Sequence, residues 1–186
     1  MAKKASAKKK SSKARRPAAE VWKALEPELK KHEQAHKGTG KKTFTPITRE
    51  EFDAKMKRVN SPMIVSQSWD DNAAPGGVIN YTVGVLNPDP TAWNNLAVAL
   101  SIGNRNPIVN RDMFLNEFDA RFPTYAQAAP IGFSLQPGES KTLSFAITVP
   151  AGVEKTGYLG NVVLQRLSFY DVGTYLDRGC FFFDVI

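Results

Sequence analysis

Two histidines four residues apart, with an acid after the first, spell H-E-x-x-H at His32-Glu33-Gln34-Ala35-His36. On a helix this spacing puts both imidazoles on one face, where they could hold zinc beside a glutamate acting as general base. Metal-assisted hydrolysis also needs a third ligand and a cleft built around the helix. The flanks here are Lys30-Lys31 and Lys37-Gly38, with little apolar mass to build one. The expected reading is a solvated polar helix end, with no metal and no cofactor. No other histidine exists, so a serine or cysteine nucleophile in residues 61–186 has no imidazole base within that stretch. Gly76-Gly77 and Gly138 lack the Gly-Lys-Ser/Thr ending of a phosphate-cradling loop. The acids Asp70, Asp71, Asp89, Asp171 and Asp177 fall in turn-prone stretches without the spacing of a calcium loop. Cys180, the only cysteine, begins the apolar run Cys180-Phe181-Phe182-Phe183 and is expected to be a small buried thiol. No catalytic residue is assigned, and a protein that is not an enzyme is expected.

The chemistry this sequence does offer is electrostatic. Lys3, Lys4, Lys8, Lys9, Lys10, Lys13, Arg15 and Arg16 fall within the first seventeen residues, which contain no acid. Residues 1–60 hold 18 Lys/Arg against 7 Asp/Glu, whereas residues 61–186 hold 7 against 11, so a net of +11 is joined to a net of −4. Such a run matches phosphate neutralisation, which is sequence-independent and steeply salt-dependent. No aromatic residue precedes Trp22, so base stacking is absent from the tail and backbone binding without sequence readout is expected. An acidic lipid surface is the other anion such a cluster fits. No lipidation motif accompanies it, because Ala2 and not glycine follows Met1.

The chain divides into three parts. Residues 1–17 are Lys/Ala/Ser-rich with nothing to bury, which predicts a disordered polybasic tail. Residues 18–60 read as a helical arm with a Gly/Lys/Thr linker at 38–46. Val21, Trp22, Leu25, Leu29 and His32 recur at helical steps, and Pro27 is expected to kink that helix or start a second one. Thr48 and Glu51 form a capping box for a short helix over 49–59, with Ile47 and Phe52 at the staple positions. Residues 61–186 then change to a period of two: Val65, Gln67, Trp69; Ile79, Tyr81, Val83, Val85; Leu96, Val98, Leu100, Ile102; and Leu143, Phe145, Ile147, Val149. Two further runs cover 158–169 and 179–186. The fold class is mainly β: an antiparallel sandwich of about seven strands, preceded by the basic arm and two short helices. A long insertion at 104–130 carries Phe114, Phe118 and Phe122 every four residues. These phenylalanines, with Trp22, Leu25 and Leu29, are the candidate partner contacts, because apolar residues at helical spacing are what groove recognition uses.

Leu135-Gln-Pro-Gly-Glu-Ser-Lys-Thr-Leu-Ser-Phe-Ala-Ile-Thr-Val-Pro150 resembles the L-x-P-G-E-S-x-T-h-x-F-x-h-x-V-P signature (h, apolar) of CARDB-type immunoglobulin-like sandwiches of bacteria and archaea. Gly77-Val-Ile-Asn-Tyr-Thr-Val-Gly-Val-Leu-Asn87 is similar to another strand of that family. The resemblance covers roughly 70–186. It implies that Pro-Gly turns the chain into a central strand, and that modules of this kind adhere, space or assemble.

Arm and body together match the layout of small coat and accessory proteins, in which the arm meets nucleic acid and the sandwich assembles. The expected function is a non-enzymatic structural protein with nucleic acid and protein neighbours as partners, cytoplasmic or virion-associated, with no secretory signal and no membrane span. The alternative is an adhesion or carbohydrate-binding module with an incidental tail, for which Trp93 and Tyr125 are the candidate exposed aromatics.

Overall fold

The computed structural model describes residues 16–37, 42–58, 61–104, 131–167 and 174–186. Two helices, α1 (Ala18–His36) and α2 (Arg49–Arg58), flank the first strand, β1 (Lys42–Pro46). The strands that follow are β2 (Met63–Asp70), β3 (Asn72–Ala73), β4 (Val78–Leu86), β5 (Trp93–Asn104), β6 (Ile131–Leu135), β7 (Ser140–Thr148), β8 (Gly157–Arg166) and β9 (Thr174–Val185). They form two sheets, in the orders β1-β2-β4-β7 and β3-β9-β8-β5-β6. All neighbours pair antiparallel except β3, which runs parallel to the end of β9. With β2, β4, β7 as strands A, B, E and β5, β8, β9 as C, F, G, this is the immunoglobulin-like arrangement.

A second feature of that fold stands at the start of β8. The buried Tyr158 hydroxyl donates to the Glu154 carbonyl at 2.9 Å, a tyrosine corner closing the turn into strand F. Beside it, Gly160 must be glycine for a packing reason, because any Cβ there would enter the Phe181 ring.

The alternating apolar positions fill the sandwich. Ile79, Tyr81, Val83 and Val85 of β4 meet Leu96, Val98, Leu100 and Ile102 of β5 and Leu143, Phe145 and Ile147 of β7. Phe181, Phe183 and Val185 of β9 complete the core. The Tyr81 hydroxyl donates to Gln67 Oε1 at 2.8 Å, and burial, with Cys180 nearby, pushes this phenol far above its ordinary range.

The two resembling segments are hydrogen-bonded partners. β4 pairs with β7 from Val78↔Thr148 to Leu86↔Ser140 without a bulge. Gly138, at φ +74°, makes the Pro-Gly turn, which the Glu139 amide closes onto the Gln136 carbonyl at 3.0 Å. The Glu139 carboxylate accepts from the Gln136 amide at 2.6 Å. Fully buried Asn87 ties this turn to the β4–β5 loop: its Nδ2 donates to the Gln136 and Thr91 carbonyls at 3.0 and 2.9 Å. Its Oδ1 accepts from the Asp89 amide at 3.0 Å.

The structure corrects the sequence reading at several points. The expected linker at 38–46 holds β1 from Lys42 onward, paired with β2 from Lys42↔Asp70 to Pro46↔Ser66. Nine strands are present among the described residues, because β1, the two-residue β3 and the short β6 escape a periodicity search. Pro27 does not start a second helix; it sits on the exposed side of one continuous helix. Val65 does not share a face with Trp69, because a bulge between Ile64 and Ser66 reverses the alternation. Cys180 is exposed; Phe181 and Phe183 take the inward positions and leave the thiol on the outer side.

Replacing the fully buried Asn87 with alanine removes the side-chain bonds that tie the two turns together, so Asn87→Ala is expected to cost on the order of 1–3 kcal/mol by chemical denaturation. A loss below about 0.5 kcal/mol would mean that the two turns are held by other means.

Candidate nucleic-acid interface

The arm enters the body at Arg16 and Pro17. Pro17 precedes α1 without a side-chain cap, its carbonyl accepting from the Glu20 and Val21 amides at 3.0 and 3.2 Å. The first turn of α1 lies beside α2: Arg16, Pro17 and Ala18 line one cleft with Asp53, Met56 and Lys57. The Arg16 guanidinium also reaches Gly138 in the β6–β7 turn. The base of the arm therefore lies at one end of the sandwich, where the exposed cations Arg16 and Lys57 line the same cleft.

Both helices are held to the outer face of the first sheet by a second apolar cluster. Val21, Leu25 and Leu29 of α1 pack with Ile47, with Phe52 and Met56 of α2, and with Met63, Val65 and Leu86 of the sheet. Trp22, half-buried, meets the Phe52 ring at 5.2 Å, and the Arg49 guanidinium lies 5.4 Å over its ring. Arg49 is also paired with Asp53 at 2.8 Å. Trp22 Nε1 donates to Glu26 at 3.2 Å, and Lys30 bonds the other oxygen of that carboxylate at 2.6 Å. The Lys30 hydrogen bond and charge hold the Glu26 carboxyl below its ordinary range.

The capping box forms as expected. The Glu51 amide bonds Thr48 Oγ1 at 3.2 Å, and the Thr48 amide bonds the Glu51 carboxylate at 3.0 Å. Further along α2, Lys55 reaches Asp177 of β9 at 2.5 Å, and the same carboxylate oxygen accepts the Ile64 amide at 2.8 Å. One acid thus joins the helix, the first sheet and the second.

The H-E-x-x-H helix end has a structural role. His36 Nδ1 lies 2.7 Å from the His32 carbonyl and Nε2 lies 2.9 Å from Ser68 Oγ. The carbonyl can only accept, so Nδ1 donates to it, and the Ser68 hydroxyl is the partner of Nε2. The His36 ring stacks on Phe44 of β1 at 5.2 Å. His36 is therefore anchored, which corrects the solvated reading, whereas His32 is exposed and leaves the apolar stripe it was expected to join. Among the described residues no group of three or more His, Cys, Asp or Glu could hold a metal ion. The turn acids bond their own neighbourhood instead: Asp70 accepts from Asn80 at 2.8 Å, Asp71 from Thr43, and Asp89 from Thr91 at 3.1 Å.

Of the residues singled out from the sequence, Arg16 is exposed at the arm's base, and Lys3, Lys4, Lys8, Lys9, Lys10, Lys13 and Arg15 lie outside the described residues. Phe114, Phe118, Phe122 and Tyr125 also lie outside them. Leu25 and Leu29 are buried within the chain, so they serve its own core and offer no surface to another protein. Trp93 is no open platform, because Arg166 lies 5.5 Å over its ring and its Nε1 donates to Asp89 at 3.4 Å. The exposed aromatics among the described residues are Tyr175 and Phe182. Sequence reasoning missed the anchored histidine and the Lys55–Asp177 bridge, whose partners stand far apart in the chain. No described helix is long and apolar enough to cross a membrane.

No protein-family model matches the chain, and no curated protein matches it. Among solved structures it is similar to the CARDB domain of the PF1109 protein from Pyrococcus furiosus, crystallised in complex with di-metal ions. That match has 17% identity over 68% of this chain and 86% of that domain, at a TM-score of 0.41. It is also similar to the C-terminal domain of wzt, with 10% identity over 78% of each chain and a TM-score of 0.49. Spo0M, the sporulation control protein of Bacillus subtilis, matches at 18% identity over 68% of this chain and 50% of that one, with a TM-score of 0.44. On strand order, Pro-Gly turn and tyrosine corner the fold is CARDB-like and immunoglobulin-like; likeness at these TM-scores says nothing of activity.

If α1 belongs to the body, Leu25→Ala should lower global stability by roughly 2–5 kcal/mol with a single unfolding transition. A second, low-stability transition confined to the helix, read by Trp22 fluorescence, would separate arm from body.

Proposed function

We propose that this protein is a non-enzymatic structural or assembly component. Its basic arm binds nucleic-acid backbone without reading sequence, and its sandwich contacts protein neighbours, as in a virion or nucleoprotein particle. The observation that carries this reading is the division of charge: eight cations and no acid in residues 1–17, against a net of −4 over residues 61–186. Two structural facts support it. Exposed Arg16, at the arm's base, shares a cleft with exposed Lys57 of α2, so cations are found on the body where the arm joins it. The helices that follow are packed on the sheet through their apolar residues, so the cations of α1 and α2 stand on a folded layer. The net-acidic sandwich would repel a polyanion, so the arm is where an anion is met.

The test is binding to a non-specific DNA duplex across a salt series, with the whole chain and with residues 1–15 removed. The removed segment holds seven of the cations. The whole chain should show a steep log–log salt slope that falls in magnitude by up to about 6 on truncation, with affinity at low salt down at least tenfold. Unchanged slope and affinity after truncation would overturn the proposal.

A further inference from the structure

The two sheets have four edge strands, and three of them are blunted. β1 carries Lys42 and ends at Pro46, β3 has two residues, and β6 has five. β7 is different. It runs nine residues, Ser140–Thr148, with no proline and Lys141 as its only charged residue. Among the described residues its one strand neighbour is β4, and their register is unbroken from end to end.

The ladder also says which backbone groups face outward. Beyond one end of β7 the Val149 amide bonds the Gly77 carbonyl, and beyond the other the Asn87 amide bonds the Glu139 carbonyl, both at 2.9 Å. Antiparallel hydrogen bonding alternates every residue, so the odd-numbered residues of β7 bond β4 and the even-numbered ones direct N–H and C=O away from it. Thr142, Ser144 and Ala146 therefore hold a row of backbone groups pointed off the sheet, with exposed, small, uncharged side chains beside them.

We infer that β7 is a self-pairing edge: a second copy of this chain docks there, antiparallel, and joins two four-stranded sheets into one of eight across a two-fold axis. A two-fold contact needs a self-complementary surface, and β7 is one. Centred on Ser144, the pairing sets Thr142 against Ala146 of the partner copy and Leu143 against its Phe145. Lys141, whose Nζ lies 6.0 Å from the Phe133 ring, falls opposite Ile147, so no like charges meet. Leu143 and Phe145 lie on the core face at the sheet's margin, and their pairing continues that apolar face from one copy to the next. Backbone pairing of this kind is the strand-addition mode of recognition.

The inference rests on the assembly half of the proposed function and not on the arm. It is tested by sedimentation velocity of the nuclease-treated whole chain at about 0.5 M salt, where bridging through the arm is screened. The wild-type chain is expected to sediment as a dimer. Ser144→Lys and Ser144→Glu each set like charges opposite one another across the axis and should weaken the dimer roughly tenfold or more. An equimolar mixture of the two should regain it, which only two folded variants can do. Ser144→Pro removes an outward amide without touching the β4 ladder and should also give monomer. Wild-type monomer at every concentration, or an undiminished dimer in both charge variants, overturns the inference. DNA binding read beside sedimentation separates the two readings. A steep salt slope from a wild-type chain that sediments only as monomer removes the self-pairing edge alone, and a dimeric wild-type chain whose slope is unchanged by loss of residues 1–15 removes the arm's role alone; Ser144→Lys should lose the dimer and keep the slope.

Discussion

The first sheet is buried on both sides around β2, and the rest of the architecture follows from that. Ile64 and Trp69 of this strand face the sandwich core, while Met63 and Val65 face outward. An outer face with that much apolar surface cannot stay wet, since each such side chain is worth about 1.5–3 kcal/mol when buried. α1 and α2 supply the cover, and Leu86 of β4 extends the surface they sit on. Alternation lets consecutive residues of β2 serve opposite clusters, and the bulge between Ile64 and Ser66 shifts it so that Val65 faces the helices while Trp69 faces the core. The helices are thus a third layer of the folded unit.

That layering sets where the charge goes. α1 runs from the Pro-Gly turn end of the sandwich, where Arg16 meets Gly138, to the β1–β2 edge, where His36 meets Phe44 and Ser68. Pinned at both ends, it begins at one end of a body whose residues 61–186 carry a net of −4. The Lys55–Asp177 bridge locks α2 to both sheets at the same time. Asp177 is only 15% exposed and bonds a backbone amide as well, so this pair is more than a surface ion pair.

Much of the sandwich was legible in the sequence because period two over Ile79–Val85, Leu96–Ile102 and Leu143–Val149 is an unambiguous signal. The Leu135–Pro150 signature was legible for a reason now physical: Gly138 needs its positive φ, Glu139 closes the turn, and Asn87 reads its backbone. The capping box at Thr48 and Glu51 was equally local. What could not be read depended on partners distant in the chain. β1 has a linker's composition and becomes a strand only because β2 offers an edge. Leu25 and Leu29 look like a docking stripe until the outer face of the sheet is known. Cys180 looked buried because its three neighbours are phenylalanines, but alternation in β9 turns every second residue outward. The basic arm was fully legible as composition, and the counterion release proposed for it depends on the number of charges and not on their order.

The central claim is that anion binding belongs to the arm and its base while the sandwich stands aside. Amide chemical shifts of the whole chain, followed while a short DNA duplex is titrated in at low salt, test it most directly. Shifts concentrated before Val21 and around Lys57, Arg58 and Gly138, with β4, β5 and β8 unmoved, are the predicted result. Shifts spread over the sandwich strands with the residues before Val21 unmoved would contradict it.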